Sequence, residues 1–480
     1  MLSGTDLKIK LKSAIVYSIL GFLILVGWAV GSPPGSSPDE DIHLSSAWCY
    51  AKYQGANCES IPLRIVEIGK CYFLDSGTNS NCEKKISIIE VPPERFYSGN
   101  NYYNFLSNFV YLDNIDKSTV LLRITNSLLS CLAIFFVVLL TSRVVYIPFL
   151  ICWLVVNIPL GFFILSSVNP SSWLYIFSFI FLPITYSIFT KPLNLPLSMI
   201  KIVVIGTTFF LALEARYETL MFAAVFSAAS IPILFIPKIK SQIIRSTLYI
   251  FTFLVTARLA VIIWGYSKLV DYRDFEISKW EILTNLPSII TGVFGGWGLG
   301  SLETTMPPVT YIGSFVTIIS IIFFALRFVN GAEAISLFLL TTFMVAIPFF
   351  VLVQSKLRVG EWLQPRYILP IFYVIVGLSL IVIFRSIKVA SLSVVVNILS
   401  LFSSLAFIFG LHTLYRRYTV GLDQFNLFLH DNNSWWWNQS PYTRPVLFYL
   451  TAVTAYLIFW ILIRKEVLSN EMIRSKSNSY

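Results

Sequence analysis

Three acids and a histidine stand close together in the stretch GSSPDEDIHLSSAWC, residues 35–49, just after an apolar segment. Asp39 and His43 are four residues apart, so a helix would place them on one face. A helix N-terminus favours an ionised carboxylate. An ionised Asp39 could therefore act as a general base that accepts a proton from a hydroxyl group.

The same stretch also has the pattern of a helix cap. Ser37, Pro38 and Glu40 match the N-cap, N1 and N3 positions of a capping box, which predicts a short helix starting here. In that arrangement Glu40 turns back to the serine backbone, and Asp39 is left free. Capping and catalysis are both open interpretations of the motif.

The stretch RVGEWLQPRYILP, residues 358–370, is a second candidate, because it combines charged side chains with the start of an apolar run. Arg366 could bind a phosphate group, since a guanidinium presents a planar fork of donors. The alternative is an Arg–Glu pair, with Glu361 as the acid, that only stabilises a loop. The sequence leaves the two interpretations about equal.

Two further stretches carry charges beside apolar sequence. LEARYETLM, residues 213–221, places Arg216 between two glutamates. Ionisable groups at membrane depth usually mark a pathway or a site, and the other interpretation is a Glu–Arg pair that holds a hairpin. FGGWGLGSLETTMPPV, residues 294–309, is glycine-rich but lacks the strand–helix unit of a nucleotide-binding loop. Its Glu303 is either a site acid or an ordinary solvated glutamate.

The composition places these residues in a membrane protein. Of the 480 residues, 56% are hydrophobic and only 12% are charged, and the mean hydropathy is +0.74. Such a chain is far too apolar for a soluble domain. The net charge of +10 comes from basic residues scattered between apolar runs, so it indicates membrane orientation and no nucleic-acid partner.

About twelve apolar runs are long enough to span a bilayer, and they predict an all-α polytopic membrane protein forming one domain over residues 1–480. Basic residues between the runs fall on one side, which the positive-inside rule assigns to the cytoplasm together with both termini. The first run resembles a signal peptide but lacks a clean cleavage site, so we expect it to be retained. The predicted spans are 14–31, 119–141, 145–165, 173–189, 200–214, 219–236, 246–266, 309–328, 335–353, 367–385, 390–412 and 445–463.

Three long segments remain on the outer side: 32–118, 267–308 and 413–444. The second has apolar residues at helical spacing, which predicts a helix lying along the membrane surface. The third contains NNSWWWNQS, whose three tryptophans are typical of a membrane-interface belt.

Four of the six cysteines lie in the first outer segment, and an even number there predicts two disulfides. Three connectivities are possible. The pairing Cys49–Cys58 with Cys71–Cys82 is favoured because both bridges close short loops. A zinc site is the alternative, although the spacings lack a close Cys-x-x-Cys pair.

Taken in order, these motifs resemble the bacterial DUF2142 family of predicted membrane proteins. PDEDIH, residues 38–43, resembles that family's usual Pro-Asp-Glu-Pro-x-His, and the resemblance continues with SSVNPSSW (166–173), GWGLGSLETTMP and LQPRYILP. In this chain Asp41 replaces the second proline. Pro365 replaces a glycine, and Glu303 stands where an aspartate is common.

That family is similar to the C-type glycosyltransferases (GT-C), which are many-helix membrane enzymes with an acid in the first outer loop. The resemblance implies inverting transfer of a sugar from a polyprenyl-phosphate donor to a cell-envelope glycan or polymer hydroxyl, outside the bacterial cytoplasmic membrane. It implies no obligatory cofactor, and a divalent cation, Mg or Mn, is an optional one. The residue roles it implies are Asp39 as base, Arg366 and Arg216 as phosphate ligands, and Glu40, His43, Glu303 and Tyr367 as positioning residues.

Two other classes of function fit the same features. A transporter or flippase of a lipid-linked glycan would also need buried charges and an outer cavity, but the chain shows no clear repeated halves. A non-catalytic envelope assembly factor is the third interpretation. Membrane lipids surround the protein in all three.

Overall fold

The computed structural model describes residues 4–55, 57–73, 75–80, 89–190, 195–234, 278–299, 304–361, 363–387, 389–423, 429, 435–437 and 444–477. The predicted span at 246–266, Glu303 and Cys82 lie outside these residues. What is described consists almost entirely of helices, with one pair of very short strands. The prediction of an all-α polytopic membrane protein is confirmed.

The elements follow one another along the chain as a series of mostly long helices. The first group is α1 (Gly4–Val30), α2 (Glu40–Tyr53), β1 (Ile61–Pro62), α3 (Leu63–Val66), β2 (Glu90–Val91) and α4 (Asn101–Ser107). The second is α5 (Ile115–Leu140), α6 (Arg143–Val156), α7 (Leu160–Leu165), α8 (Ser171–Thr190), α9 (Leu195–Ala215) and α10 (Thr219–Leu234). The third is α11 (Lys279–Asn285), α12 (Pro287–Val293), α13 (Pro308–Leu326), α14 (Gly331–Ser355), the 3-10 turn Pro365–Tyr367, α15 (Leu369–Ser386), α16 (Val389–Thr419) and α17 (Pro445–Ser477).

Nine helices in the described part of the chain are long and apolar enough to cross a membrane: α1, α5, α8, α9 and α13 to α17. Two shorter apolar helices, α6 and α10, also coincide with predicted spans. The span predicted at 145–165 is divided between α6 and α7. Pro159 has no N–H to continue the helix, and Asn157 Nδ2 donates to the Trp153 carbonyl oxygen at 2.7 Å.

The centre of the bundle is formed by α6 and α15, whose apolar side chains are almost all buried. α15 packs against α6, α8 and α13, while α1 packs against α5 and α17. Further out, α10 pairs with α14 and α16 with α17. Large apolar side chains remain exposed on α9, α13 and α16, as expected for helix faces in contact with lipid.

A compact segment follows α1 and rests on one end of the bundle. Within it the Cys49–Cys58 disulfide joins α2 to the loop before β1, which confirms the first predicted pairing. Cys71 is also disulfide-bonded. The strands pair antiparallel, Ile61 with Val91. The fully buried Arg417 of α16 donates to three carbonyl oxygens of residues 72–78, and these bonds hold the segment to the bundle.

Two expectations for the other outer segments change. The helix predicted near residue 280 is present but divided at Pro287 into α11 and α12. The tryptophans were expected to form an interface belt, yet Trp435 and Trp436 are buried in the protein. The physical reason is local: Trp436 Nε1 donates to the carbonyl oxygen of Val30, at the end of α1, where helical carbonyl groups lack internal partners.

Candidate functional site

Glu40 and Arg123 form a buried ion pair directly beneath α2. Arg123, on α5, donates through Nε to Glu40 Oε1 at 2.9 Å and through Nη2 to Oε2 at 2.5 Å. The same guanidinium donates to the carbonyl oxygens of Ala29, Ser32 and Pro33 at 2.6–2.8 Å. Because α1 ends at Val30, these bonds satisfy carbonyl groups that a helix end leaves without partners. One arginine therefore fastens the end of α1, α2 and α5 together.

Glu40 also accepts three backbone bonds, from the N–H groups of Gly35, Ser37 and Val168. Both carboxylate oxygens are thus engaged by the protein, and the side chain is fully buried. The expected role of Glu40 in positioning substrate therefore has no geometric support. It is a structural anchor that completes the Arg123 site.

The predicted capping box is only half present. Glu40 turns back to the Ser37 N–H at 3.5 Å, but Ser37 Oγ has no hydrogen-bond partner among the described residues. The helix begins at Glu40, with Asp39 rather than Ser37 at the N-cap. The long-range bonds from Arg123 and Val168 account for this difference, since they hold Glu40 at the first helical position.

The stretch 166–173 supports this motif from below. Asn169 Nδ2 donates to the Pro38 carbonyl oxygen at 3.0 Å, and Asn126 Nδ2 donates to that of Ser167 at 2.8 Å. Trp173 Nε1 in turn donates to Asn126 Oδ1. From the sequence, Asn126 in the second predicted span was open to either a site or a structural role, and Asn169 was assigned none. Their polarity beside apolar spans was the available signal, since buried amides need partners.

Asp39 points away from this anchor and towards the 3-10 turn before α15. Its φ of +59° lies in the left-handed region, which aspartate tolerates better than most residues. Arg366 Nη2 donates to Asp39 Oδ2 at 2.5 Å. The Asp39 side chain is 43% exposed, whereas that of Arg366 is 2% exposed. The structure thus joins two predicted site residues from opposite parts of the chain.

The charge state of Asp39 follows from its surroundings. Burial acts to raise the pKa of its carboxyl group, but the charge and hydrogen bond of Arg366, with a smaller effect of Arg216, bring the pKa below its ordinary value. Asp39 is therefore ionised at neutral pH. It was expected to be free, and it is instead held by Arg366.

His43 lies one turn further along α2, buried in a stack of aromatic rings. Its Nδ1 shares a 2.7 Å hydrogen bond with the Tyr103 hydroxyl, and its ring stacks on those of Tyr97 and Tyr103. Nε2 has no hydrogen-bond partner within the described chain. Burial, reinforced by Arg216 and Arg366 against the opposing effect of Asp39, lowers the pKa of His43 to about 3. The imidazole is a neutral group at physiological pH.

Arg216 and Arg366 lie against the same tyrosine. Their guanidinium carbons are 5.1 and 5.2 Å from the centre of the Tyr367 ring. Arg216 pairs with the half-exposed Glu218 at 3.5 Å. Arg366 Nε and Nη1 and Arg216 Nε are buried and find no hydrogen-bond partner in the described part of the structure. Two guanidinium groups with unused donors beside the same ring make an arrangement suited to an anion.

Burial acts to raise the pKa of the Tyr367 phenol, but the positive charges of Arg366 and then Arg216 bring it below its ordinary value. The same positive field that stabilises a phenolate would stabilise a phosphate.

A mostly apolar cavity of about 250 Å³ begins at Arg216 and Tyr367 and runs between α10 and α14. Its only charged lining residues in the described chain are Arg216 and Glu218. Its apolar wall includes Leu174, Met221, Phe222, Ile347, Val351 and Leu352. The cavity therefore has one charged end, formed by Arg216 with Glu218, and one hydrocarbon-like wall.

Arg358, from the same stretch as Arg366, pairs elsewhere. Arg358 forms the Arg–Glu pair, but with Glu281 at 3.3 Å, while its backbone N–H donates to Glu361. Glu303 lies outside the described residues. Among the residues that are described, no group of three or more His, Cys, Asp and Glu side chains is arranged to hold a metal ion.

Comparison with known proteins gives one match. The sequence model of a family described as "Predicted membrane protein (DUF2142)" matches residues 22–375, which is more than half of the chain. The matched region includes Asp39, His43, Arg216, Arg366 and Tyr367. No curated protein and no solved structure matches the chain.

Proposed function

From the premise that this chain belongs to the DUF2142 family of predicted membrane proteins, we propose that it is a membrane glycosyltransferase. It moves a sugar from a polyprenyl-phosphate donor to a hydroxyl group of a cell-envelope glycan or polymer, with inversion at the anomeric carbon. The reaction takes place on the outer face of a bacterial cytoplasmic membrane.

One observation carries the proposal: an apolar cavity, an arginine pair and a carboxylate lie next to one another in that order. The apolar cavity leads to Arg216, whose guanidinium shares the Tyr367 ring with Arg366, which in turn contacts Asp39. A polyprenyl phosphate has the same order of chemistry, with an isoprenoid tail, a phosphate and then an anomeric carbon. The tail would occupy the cavity and the phosphate would lie between the arginines, so the anomeric carbon would face Asp39.

The chemistry uses few groups. The acceptor oxygen forms a bond to the anomeric carbon while the bond from that carbon to the phosphate oxygen breaks. Asp39 accepts the hydroxyl proton, and the electron pair of the broken bond leaves with the lipid phosphate. Arg366 and Arg216 stabilise the negative charge on this leaving group. Attack from the side opposite the phosphate inverts the anomeric configuration.

The neighbouring groups have supporting roles. His43 is neutral and lies beside Asp39, so it can orient an acceptor by hydrogen bonding without adding a positive charge. The Glu40–Arg123 pair holds the first turn of α2 in place. Precise placement of reacting groups contributes strongly to rate, so an anchor of this kind has functional value.

The test is transfer by the purified full-length protein in lipid nanodiscs, supplied with polyprenyl-phosphate sugars and envelope glycan. Released lipid phosphate is measured for the wild type, Asp39→Asn and the control Asp41→Asn, which removes a neighbouring exposed acid. We expect Asp39→Asn to lose a factor of about 10²–10⁴ in rate, and Asp41→Asn to retain most activity.

Other outcomes would replace the proposal. Full transfer by Asp39→Asn would exclude Asp39 as the base. Movement of the intact lipid across the bilayer without release of lipid phosphate would identify a transporter. If the protein shows neither transfer nor transport, that result would favour an assembly factor.

A further inference from the structure

Arg366 is bound by the residue that the proposed reaction needs free. We propose that the donor phosphate displaces Asp39 from Arg366, so that binding of the donor releases the base and imposes a donor-first order on the reaction. This inference rests on the proposed function and adds a regulation of the same site. It is argued from the geometry of the Asp39–Arg366 pair.

The guanidinium of Arg366 can hold a phosphate through two parallel donors on either of two edges, Nε with Nη2 or Nη1 with Nη2. Both edges include Nη2, which already donates to Asp39 Oδ2 at 2.5 Å and to the Tyr367 hydroxyl at 3.3 Å, so neither of its two N–H groups is unused. Nε and Nη1 are buried and unpartnered among the residues described, so each edge offers one unused donor. A phosphate on either edge therefore approaches Asp39 to within a few ångströms, where two negative charges repel.

Of the two partners, Asp39 is the one able to move. Its side chain is 43% exposed and ends in water on one side, while Arg366 is 2% exposed. The backbone of Arg366 is also fixed, because the Tyr175 hydroxyl donates to its carbonyl oxygen at 2.7 Å. Exchange thus requires rotation of a short, half-exposed carboxylate and leaves the arginine in place.

The exchange has a chemical purpose. While it is bound to Arg366, the Asp39 carboxylate has a lowered proton affinity and its Oδ2 is occupied. A phosphate that neutralises Arg366 reverses both effects, because the carboxylate then faces an anion instead of a cation. When an acceptor binds before the donor, Asp39 Oδ2 is still occupied by Arg366. Asp39 can accept the acceptor's proton only after the lipid phosphate has bound.

The test is direct binding of farnesyl phosphate, a short lipid phosphate, to the full-length protein in nanodiscs. If Asp39 competes with the phosphate, removing its charge must strengthen binding even though it abolishes transfer. We expect Asp39→Asn to bind farnesyl phosphate about tenfold more tightly than the wild type, since a charged hydrogen bond no longer has to be broken. Asparagine also accepts the left-handed backbone at this position, so the fold is preserved.

Three controls identify the source of the effect. Asp41→Asn removes an equal charge from the same helical turn without touching Arg366, and it should change the affinity by no more than about twofold. Farnesol, with the same tail and no phosphate, should bind wild type and Asp39→Asn equally. Inorganic phosphate should show the same ratio between the variants as farnesyl phosphate, at lower affinity. Asp39→Ser is a second variant that removes the negative charge at this position.

Unchanged or weaker binding by both Asp39 variants, with the wild type binding well, overturns the exchange and leaves the proposed donor intact. An equal gain in affinity for farnesyl phosphate in Asp41→Asn also overturns it, because the effect would then come from the loss of any nearby negative charge. No binding of farnesyl phosphate by any variant overturns the lipid-phosphate donor itself, and the exchange with it.

Discussion

At the scale of single residues, the adjacent acids Asp39 and Glu40 differ in almost every property except charge. Glu40 is fully buried and both its oxygens are engaged by Arg123 and backbone N–H groups. Asp39 is half-exposed and has one strong partner, Arg366. A buried carboxylate with all its lone pairs occupied can hold a fold together, and an accessible one can exchange partners. The two acids divide structure and chemistry between them.

Breaking the buried pair should damage the fold. Arg123→Ala leaves Glu40 buried without a counter-charge, and we expect a loss of about 3–5 kcal/mol in the free energy of unfolding. Arg358→Gln removes an arginine from the exposed pair with Glu281 and should cost about 1 kcal/mol or less. Thermal unfolding of both variants in one detergent compares them. Equal losses would show that burial of the Glu40–Arg123 pair has no special importance.

The buried His43 makes the protein sensitive to acid. In the unfolded chain its imidazole binds a proton below the ordinary pKa of 6.5, while in the folded protein it stays neutral down to about 3. Protonation of His43 therefore leaves the free energy of unfolding unchanged above pH 6.5 and lowers it as the pH drops from 6.5 towards 3. The loss is about 1.4 kcal/mol per pH unit, or about 2 kcal/mol at pH 5.

The measurement is thermal unfolding at pH 7 and pH 5 for the wild type and His43→Asn, whose amide can keep the bond to Tyr103. Asp39, Arg216 and Arg366 face the same site, but none of them titrates between these pH values. The variant should show a smaller acid-induced loss. An identical loss in both proteins would contradict a neutral, buried His43.

At the scale of elements, apolar length predicted spans that coincide with helices wherever the structure describes them, with 145–165 divided between α6 and α7. The span 246–266 lies outside the described residues. The short helix after the first span was also expected, but its N-cap is Asp39 and not the predicted Ser37. Ser37 and Glu40 have the right spacing for a capping box, while the contact that decides the start of α2 comes from Arg123, 83 positions away. Local patterns carry no information about such a partner.

The same limit applies to other contacts. Arg366 was expected in the same site as Asp39 as a phosphate ligand, but the two lie 327 positions apart and their direct ion pair was not predicted. Trp435 and Trp436 look like interface residues by composition, and packing against the end of α1 buries them instead. The residue types at the site were therefore predictable, and their pairings were not.

The attachment of the segment after α1 to the bundle can be tested through Arg417. Its bonds to the carbonyl oxygens of Tyr72, Asp75 and Thr78 fix this segment to the end of α16. Arg417→Gln cannot reach all three, so hydrogen exchange at residues 72–80 should rise by about tenfold or more. Exchange within α15, far from these bonds, serves as the internal reference. Unchanged protection at 72–80 would assign the attachment to other contacts.

At the scale of the whole molecule, the candidate site is assembled at one end of the helix bundle from segments spread over most of the chain. Asp39 and His43 come from α2, Arg216 from the end of α9, and Arg366 and Tyr367 from the turn before α15. Two of these residues, Arg216 and Tyr367, also line the apolar cavity between α10 and α14. By the distribution of basic residues, this end is predicted to face away from the cytoplasm.

Sidedness can be measured by labelling cysteines introduced at exposed positions. Ser98 lies in the segment before α4, and Gly331 is the first residue of α14, where an added side chain meets no neighbouring atom. An impermeant maleimide should label Ser98→Cys in intact cells and Gly331→Cys only after permeabilisation. Cys131 and Cys152 are buried and should give little background. The reverse pattern would place the candidate site on the cytoplasmic side.

The Arg123 anchor also has a consequence in time. Chains are synthesised and inserted from the N-terminus, and early segments fold first. Among the described residues, every hydrogen-bond acceptor of the Arg123 guanidinium lies between residues 29 and 40, so α1, α2 and α5 can be joined as soon as α5 has entered the membrane. Arg366 is synthesised more than two hundred residues later. Asp39 can thus be placed beside its Arg123 anchor before Arg366, which restrains it, has been synthesised, and α16 and α17 are added to the bundle later still.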